Sequence, residues 1–314
     1  MKSKIAYIVL LLLLTVGTRA AELRIGIVAR GKSTEQQIIQ SGAVAAAKEQ
    51  SSKGASHITV DWRVALESSE ESAAISDMAD KKVDGIVLAG YDADSLHLAI
   101  TVQKANGIPV VICGGDGPQP GVTAVVGTDN YACGRLLMEV LADELSNNGL
   151  IAIFGGDFPG NPYFGPRVRG AQDKAKEIPG IRIATVTYAP PDPRAVIARM
   201  LEVSDARPGL NGWLLVVNWG LPVGSRYESQ PGQKIVTVDP GIETGIQQLQ
   251  TGQLQALLVQ DFYEWGRQSV LLLSDKTRLP ADPNKNFLAT NVTVVTRRNL
   301  DAFLGKLKEQ TGGE

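Results

Sequence analysis

Short apolar runs alternate with amphipathic stretches along almost the whole chain, and this alternation restricts the possible folds most. The first strand is predicted at Leu23 to Val28 and the first helix at Thr34 to Gln50; a second strand at His57 to Val64 and a second helix at Ser69 to Lys81 follow. Further strands are predicted at Gly85 to Ala89, Pro109 to Cys113, Ala124 to Gly127, Leu150 to Phe154, Ile181 to Tyr188, Gly212 to Val217 and Lys234 to Asp239. Such repetition is typical of parallel sheets covered by helices on both faces. The sequence therefore predicts an α/β protein with doubly wound parallel sheets.

The chain of 314 residues is long for a single hydrophobic core, which favours two lobes. No Gly/Ser-rich linker separates the halves. We therefore expect several short segments to join the lobes, as a hinge does. The last helix is predicted over Asn299 to Gln310, where the pattern is again amphipathic.

The first twenty residues have the pattern of a cleaved export signal. Lys2 and Lys4 precede an apolar stretch from Ile5 to Val16, and Thr18-Arg19-Ala20 supplies the small residues of a cleavage site. This stretch is too short to cross a bilayer, which takes about 20 residues as a helix. We expect residues 1–20 to be a signal peptide cleaved after Ala20, and the mature protein to reach the periplasm.

The charge of the mature chain argues against nucleic acid as a partner. Without Lys2, Lys4 and Arg19, 28 basic residues stand against 33 acidic ones, a net charge of −5. The basic residues are scattered, and no stripe of basic and aromatic side chains is present. We expect the partner to be a small molecule.

Catalysis is not predicted, because the usual combinations of reactive residues are missing. The chain has two histidines, His57 and His97, and neither belongs to a nucleophile-elbow or HExxH motif. The Gly-rich stretches 114–117 and 155–157 lack the Lys and Ser/Thr of a phosphate loop. We expect no enzyme activity, no metal and no cofactor.

Polar and aromatic residues follow the predicted strands. In open α/β sheets, the ligand crevice lies beyond the carboxyl ends of the strands, so these residues are the candidate ligand-binding set. The set is Arg30, Lys32, Tyr91, Asp116, Arg167, Asn218, Trp219, Asp239 and Gln260.

Each of the strongest candidates also has a plain structural interpretation. Asp239 could cap the helix that begins near Ile242, and Asn218 could form a turn. Arg167 could cover a helix start or pair with Asp157, and Gln260 could hydrogen-bond within the hinge. Their position at strand ends favours ligand contact.

Five motifs, taken together and in this order, resemble those of a known family over essentially the whole mature chain. They are Val83-Asp84-Gly85-Ile86-Val87-Leu88, Ala105-Asn106-Gly107-Ile108-Pro109-Val110-Val111, Gly127-Thr128-Asp129-Asn130-Tyr131, Arg167-Val168-Arg169-Gly170 and Val236-Thr237-Val238-Asp239. The chain resembles the type I periplasmic solute-binding proteins of the ribose- and galactose-binding group.

The resemblance implies two similar lobes with three crossovers, near Gly127-Thr128, Gln260-Asp261 and Thr290-Asn291. The N-terminal lobe would contain residues 21–127 and 261–290, and the C-terminal lobe residues 128–260 and 291–314. By the same resemblance, Arg167, Asn218, Asp239 and Gln260 would grip the hydroxyl groups of a sugar or polyol. Each of these side chains offers two polar atoms in one plane.

The implied function is capture of a sugar or polyol between closing lobes and delivery to the membrane permease of an ABC transporter. A periplasmic partner of a sensor histidine kinase or chemoreceptor is the alternative, and sequence does not separate the two. Monomer is the family expectation. The loop after the first strand departs from the family, since it reads Arg30-Gly31-Lys32-Ser33-Thr34-Glu35 and has no aromatic ring.

Whether Cys113 and Cys133 form a disulfide stays open at this point. The expected compartment permits such a bond, but spacing alone does not give the Cα separation that it requires.

Overall fold

The computed structural model describes residues 21–54, 56–159, 161, 163–217, 219, 221, 232–238, 241–279 and 282–312. The predicted signal peptide, residues 1–20, lies outside these residues, and so do the predicted site residues Asn218 and Asp239.

Strands and helices alternate through most of the described chain. In order, they are β1 (Ala21–Arg30), α1 (Thr34–Ser52), β2 (Ser56–Ala65), α2 (Ser68–Asp80), β3 (Gly85–Ala89), α3 (Ala93–Asn106), β4 (Val110–Gly115), β5 (Ala124–Thr128), α4 (Asn130–Glu144), β6 (Gly149–Phe154), α5 (Gly165–Lys176), β7 (Ile181–Thr187), α6 (Pro193–Asp205), β8 (Leu210–Leu215), β9 (Lys234–Val238), α7 (Ile242–Thr251), β10 (Ala256–Gln260), α8 (Phe262–Ser274), β11 (Phe287–Thr290), β12 (Val292–Thr296) and α9 (Leu300–Thr311).

The strands form two sheets of six, one in each lobe. The first has the order β11-β5-β4-β3-β1-β2 and the second the order β12-β10-β9-β8-β6-β7. The recorded pairs are parallel except for β10 with β12, which is antiparallel. This confirms the predicted α/β architecture with two doubly wound lobes.

The chain passes between the sheets at three places: after β5, after β10 and between β11 and β12. Two of these crossovers are tied together beside α8. The Trp265 indole N–H donates to Thr290 Oγ1 at 2.9 Å, and that hydroxyl donates to the Gly127 carbonyl at 3.0 Å. The first and third crossovers therefore share one hydrogen-bonded chain.

Each lobe contains a helix pair whose backbones touch through glycines. In the first lobe, a Cβ atom at Gly42 or Gly266 would overlap a backbone oxygen of the opposite helix in the α1–α8 pair. In the second lobe, the same holds for Gly134 and Gly170 in the α4–α5 pair. Both pairs require a residue without a side chain at the crossing. The α4–α5 contact also determines where the start of α5 lies.

The last three strands, β10, β11 and β12, are not among those predicted from apolar runs. β11 and β12 are short, and most of their residues are at least partly exposed, so they lack the continuous apolar pattern of the buried strands. Helix α9 packs against both β12 and α1, which places it across the two lobes. No helix within the described residues is both long and apolar enough to cross a membrane.

Candidate ligand-binding cleft

A cavity of about 450 Å³ lies between the lobes, at the carboxyl ends of the strands. Its first-lobe wall comes from the start of α1, the ends of β3 and β4, and the first turn of α8. Tyr163, Gly241 and Gln260 close it from the second lobe. The lining residues are Ser33, Glu35, Gln36, Ile39, Ala89, Gly90, Cys113, Gly114, Tyr163, Gly241, Gln260, Phe262 and Trp265. Pockets for small molecules commonly enclose about 300–1,000 Å³.

A second cavity, of about 490 Å³, lies between α1 and α9. Residues such as Gln37 and Leu304 line it, and all of its lining residues belong to helices. It does not meet the strand ends where α/β sheets bind ligands. The cavity between the lobes is therefore the candidate site.

A buried arginine stands behind the second-lobe wall. Arg167, in the first turns of α5, is 1% exposed. Its Nε donates to Asn130 Oδ1 at 2.6 Å, and one terminal nitrogen donates to the Val216 carbonyl at 3.1 Å. The other terminal nitrogen lies 3.4 Å from Gln260 Oε1, at the second crossover. The guanidinium also lies 5.2 Å from the centre of the Tyr163 ring, a cation–π distance.

Asp116 reaches the same group of residues from the first lobe, on the loop after β4. Burial raises the pKa of its carboxyl, while a hydrogen bond from the Asn130 side chain and the charge of Arg167 partly oppose the rise. Burial also raises the pKa of the Tyr91 phenol, and the negative charges of Asp116 and then Tyr163 raise it further. The charge of Arg167 in the second lobe thus affects the pKa of Asp116 in the first lobe, and the charge of Asp116 affects the pKa of Tyr91.

The raised pKa of Asp116 predicts a pH-dependent contribution to stability. Because the folded protein holds this proton more tightly than the unfolded chain, the free energy of unfolding should fall as the pH rises from the ordinary aspartate pKa through the raised value. Asp116→Asn should not show this fall. Above the raised pKa, the variant should therefore be more stable than wild type. Urea unfolding between about pH 4 and pH 7 measures the difference. Asp80→Asn, at the exposed end of α2, is the control; parallel profiles for Asp116→Asn and wild type would contradict the assignment.

Gln36, in the first turn of α1, places a hydrogen-bond acceptor in the first-lobe wall of the cavity. Its Nε2 donates to the Ala89 carbonyl at 2.9 Å, which turns the amide oxygen away from that strand. Gln36 Oε1 is buried and has no hydrogen-bond partner in the protein. A buried acceptor without a partner is costly, so this atom calls for a donor from a bound molecule or from water.

Aromatic rings line the cavity beside these polar groups. Phe262 and Trp265, both in α8, meet edge to face at 4.9 Å between ring centres. Tyr163 faces them from the second lobe. Ring faces are suitable apolar partners for the C–H groups of a sugar. The rings absent from the loop after β1 are thus present on α8.

The two lobes touch at the mouth of the cavity, between the starts of α1 and α7. Glu35 Oε1 accepts a hydrogen bond from the Ile242 backbone N–H at 3.0 Å, and Thr34 Oγ1 donates to Glu243 Oε1. The N-cap of α7 is Gly241, which has no side chain to satisfy the first N–H groups. Glu35 of the first lobe therefore caps a helix of the second.

Of the predicted site residues, Gln260 lines the cavity, Arg167 lies behind it in contact with Gln260, and Tyr91 and Asp116 do not line it. Gln260 is 7% exposed. Trp219 is half-buried nearby, edge to face with Phe164 at 4.9 Å, and its indole N–H is buried without a partner.

Arg30 and Lys32 do not line the cavity. Arg30 Nε pairs with Glu71, which is 1% exposed, at 2.9 Å, and a terminal nitrogen of Arg30 pairs with Asp92 at 3.0 Å. Lys32 is exposed on the loop after β1. The side chain of Arg30 is directed to the starts of α2 and α3 because two acidic groups bind it there.

Sequence reasoning missed Gln36, Glu35, Phe262 and Trp265. All four lie in the first turn of a helix that follows a strand. The prediction considered only residues at the strand ends, and these four lie beyond them. Extending the rule to the first helical turn would have found them, because those turns also face the crevice.

Cys113 and Cys133 are both buried, and no disulfide joins them. Burial raises the pKa of the Cys113 thiol to about 12, although a hydrogen bond with Ser269 has the opposite, smaller effect. Cys113 lines the cavity as a thiol, and it is not a reactive thiolate at neutral pH.

The chain is similar to known proteins both in sequence and in fold. The family model described as the periplasmic binding protein domain matches residues 25–278. A xylitol-binding protein of Mycolicibacterium smegmatis is 24% identical over 204 residues, which cover 63% of this chain and 58% of that protein. The matched region thus spans less than two thirds of that relative's length.

Solved structures share the fold at low sequence identity. An arabinose-binding protein of Geobacillus stearothermophilus superposes with a TM-score of 0.74 and 19% identity, over 91% of this chain and 99% of that one. A glucose-galactose binding protein of the same organism has a TM-score of 0.68 and 22% identity, over 90% and 99%. At these identities the likeness is one of fold.

Proposed function

Because this chain belongs to the periplasmic binding protein family, we propose that it captures a small polar solute, a sugar or polyol, between its two lobes. One observation carries the proposal: polar groups of both lobes converge on a single cavity of about 450 Å³. Gln36 belongs to the first lobe and Gln260 to the end of β10 in the second.

The chemistry of the cavity suits hydroxyl groups, which both donate and accept. Gln36 Oε1 needs a donor, and Arg167 carries two N–H groups beyond the three that bind Asn130, Val216 and Gln260. The rings of Tyr163 and Trp265 give the C–H faces of a sugar an apolar surface. Asp239 and Asn218 belong to the proposed site on sequence grounds.

The energetics are adequate for useful affinity. Micromolar binding requires about 8 kcal/mol net. Hydrogen bonds to charged groups contribute about 1.5–3 kcal/mol each before ordering costs, so a few of them, with apolar contact, suffice.

We further propose export to the periplasm with the leader removed after Ala20, and delivery of the solute to the permease of an ABC transporter. The names of the similar proteins suggest a panel of four solutes: xylitol, arabinose, glucose and galactose. The protein would bind without catalysing a reaction, as a binding protein does.

A thermal-shift screen of the mature chain tests the proposal. A solute that binds only the folded protein stabilises it by about 2.7 kcal/mol at one hundred times its dissociation constant, so at least one panel member should raise the melting temperature. Amino acids serve as the negative set. If no sugar or polyol raises the melting temperature while an amino acid does, the assigned solute class is wrong.

Gln36→Leu should weaken binding of the panel member that stabilises most by roughly tenfold, because an oriented acceptor is lost at about 1–2 kcal/mol. Calorimetry measures the dissociation constant. Gln37→Leu is the matched control, since Gln37 is the next residue of α1 and is exposed outside the cleft. Equal affinities for the two variants would remove Gln36 from the site.

A further inference from the structure

The first turns of two helices, one from each lobe, face each other at the mouth of the cavity. Thr34 and Glu35 lie in the first turn of α1, and Glu243 lies in the first turn of α7. The Ile242 N–H donates to Glu35 Oε1 at 3.0 Å, and Thr34 Oγ1 donates to Glu243 Oε1. Both hydrogen bonds cross from one lobe to the other, so separation of the lobes at this edge breaks them.

Helix α7 has no cap from its own segment. Its N-cap residue is Gly241, whose φ of 92° is a left-handed backbone conformation that favours glycine. Glycine has no side chain that could accept a hydrogen bond from the first N–H groups of the helix, so these groups need an acceptor from elsewhere. Glu35 supplies that acceptor from the first lobe.

The charge of Glu35 fits its place between two helix ends. A helix N-terminus carries about half a positive charge, so the N-termini of α1 and α7 repel each other as the lobes approach. A carboxylate between them interacts favourably with both. Glu35 is the acidic residue in the first turn of α1, and its oxygen contacts the first N–H of α7.

We propose that Glu35 is a positioning residue for solute capture, because its hydrogen bond to the Ile242 N–H, here called the latch, favours the closed arrangement of the lobes. The effect on affinity rests on the proposed function, in which the solute is held between the closed lobes. A protein whose binding-competent form is less populated binds with proportionally lower affinity. Loss of the latch should therefore lower affinity even where no solute contact is removed.

Ile242→Pro removes the donor of the latch and leaves Glu35 unchanged. Proline suits the first residue of a helix, where its missing N–H has no partner within the helix, and the ψ of 133° at Gly241 is in the range that proline requires of the residue before it. Ile242 is not one of the residues that line the cavity. Ile242→Ala is the matched control, because it shortens the same buried side chain and keeps the N–H.

A distance between the lobes can be measured without any solute. Ala93, at the start of α3, and Phe158, on the loop after β6, are exposed positions of the first and second lobes. Spin labels on Ala93→Cys and Phe158→Cys report the separation of the lobes by pulsed electron paramagnetic resonance. The native Cys113 and Cys133 are 3% and 2% exposed, which protects them from the label.

Glu35→Ala and Ile242→Pro should each lower the ratio of closed to open molecules about 3- to 10-fold, as expected for one charge-assisted hydrogen bond at a helix end. The loss in the double variant should be smaller than the product of the two single losses, since both changes remove the same contact. The ratio should fall more in Ile242→Pro than in Ile242→Ala.

Glu70→Ala is the control for loss of a carboxylate. Glu70 also lies in the first turn of a first-lobe helix and accepts a backbone N–H, that of Leu66 at 2.6 Å, but this contact stays within one lobe. The variant should keep the wild-type ratio. The latch is overturned by an unchanged ratio in Glu35→Ala, by equal ratios in Ile242→Pro and Ile242→Ala, by a multiplicative loss in the double variant, or by a wild-type protein that shows only the open distance.

Calorimetry with xylitol, arabinose, glucose and galactose measures the consequence for binding. Affinity should fall by similar factors in Glu35→Ala and Ile242→Pro, and by no more than the closed-to-open ratio falls. A loss confined to Glu35→Ala would overturn the positioning role, because it would assign Glu35 to direct solute contact. If the ratio changes as expected while no panel member binds, the latch stands and the proposed function fails. If a panel member binds while the ratio stays unchanged, the proposed function stands and the latch fails.

Discussion

Replacing Arg167 with methionine is expected to weaken binding of the preferred panel member at least about 100-fold, or about 3 kcal/mol. The loss has two sources. The solute loses a charged donor, and the acceptors on Asn130, Val216 and Gln260 lose theirs. A buried acceptor left without a donor costs about 1–3 kcal/mol.

The same variant should stay folded. It should be less stable than wild type, because the buried acceptors left without a donor cost more than is regained by removing the desolvation penalty of the charge. Calorimetry gives the affinity, and urea unfolding verifies the fold. Arg169→Met, an exposed arginine on the same helix, should bind as wild type does. Retained binding by Arg167→Met would show that Arg167 has only a structural role.

Gly134→Ala is expected to destabilise the protein by about 3 kcal/mol, the upper part of the range for overpacked cores. A Cβ atom at this position would overlap the backbone oxygen of Arg167, and backbone cannot move aside as a flexible side chain can. Helices α4 and α5 must separate, which also displaces Arg167 from Gln260. The variant should therefore lose affinity together with stability.

The matched control is Gly305→Ala in α9, where an added Cβ meets no atom within 4 Å. There the change should stabilise by about 0.5–1 kcal/mol, because alanine is the better helix former. Urea midpoints of both variants test the pair. A Gly134→Ala protein as stable as wild type would show that the α4–α5 crossing tolerates a side chain.

Much of the fold could be read from apolar periodicity because most of its strands are buried on both faces. β3 is one example: all five of its residues are buried, and its predicted bounds agree with the structure. β11 and β12 escaped prediction because they are short and partly exposed, which leaves no pattern to detect.

A site residue could be predicted where its position at a strand end places it beside the cavity. It could not be predicted where hydrogen-bond and ion-pair partners determine the direction of its side chain. Arg167 and Arg30 were both predicted from their position at a strand end, and only the family resemblance set Arg167 apart. Glu71 and Asp92 bind Arg30 away from the cavity, whereas Asn130 and Gln260 hold Arg167 beside it. These partners lie between 37 and 93 residues away along the chain, so no local pattern reveals them.

The sequence by itself therefore determined the alternation of strands and helices, the division into two lobes, and the family resemblance. These features depend on local periodicity and on motifs read in order. Only the tertiary structure decided which polar side chains face the cavity, which rings line it, and that Glu35 of one lobe caps a helix of the other. Such outcomes depend on hydrogen bonds and charges between distant segments, which become neighbours only after the chain has folded.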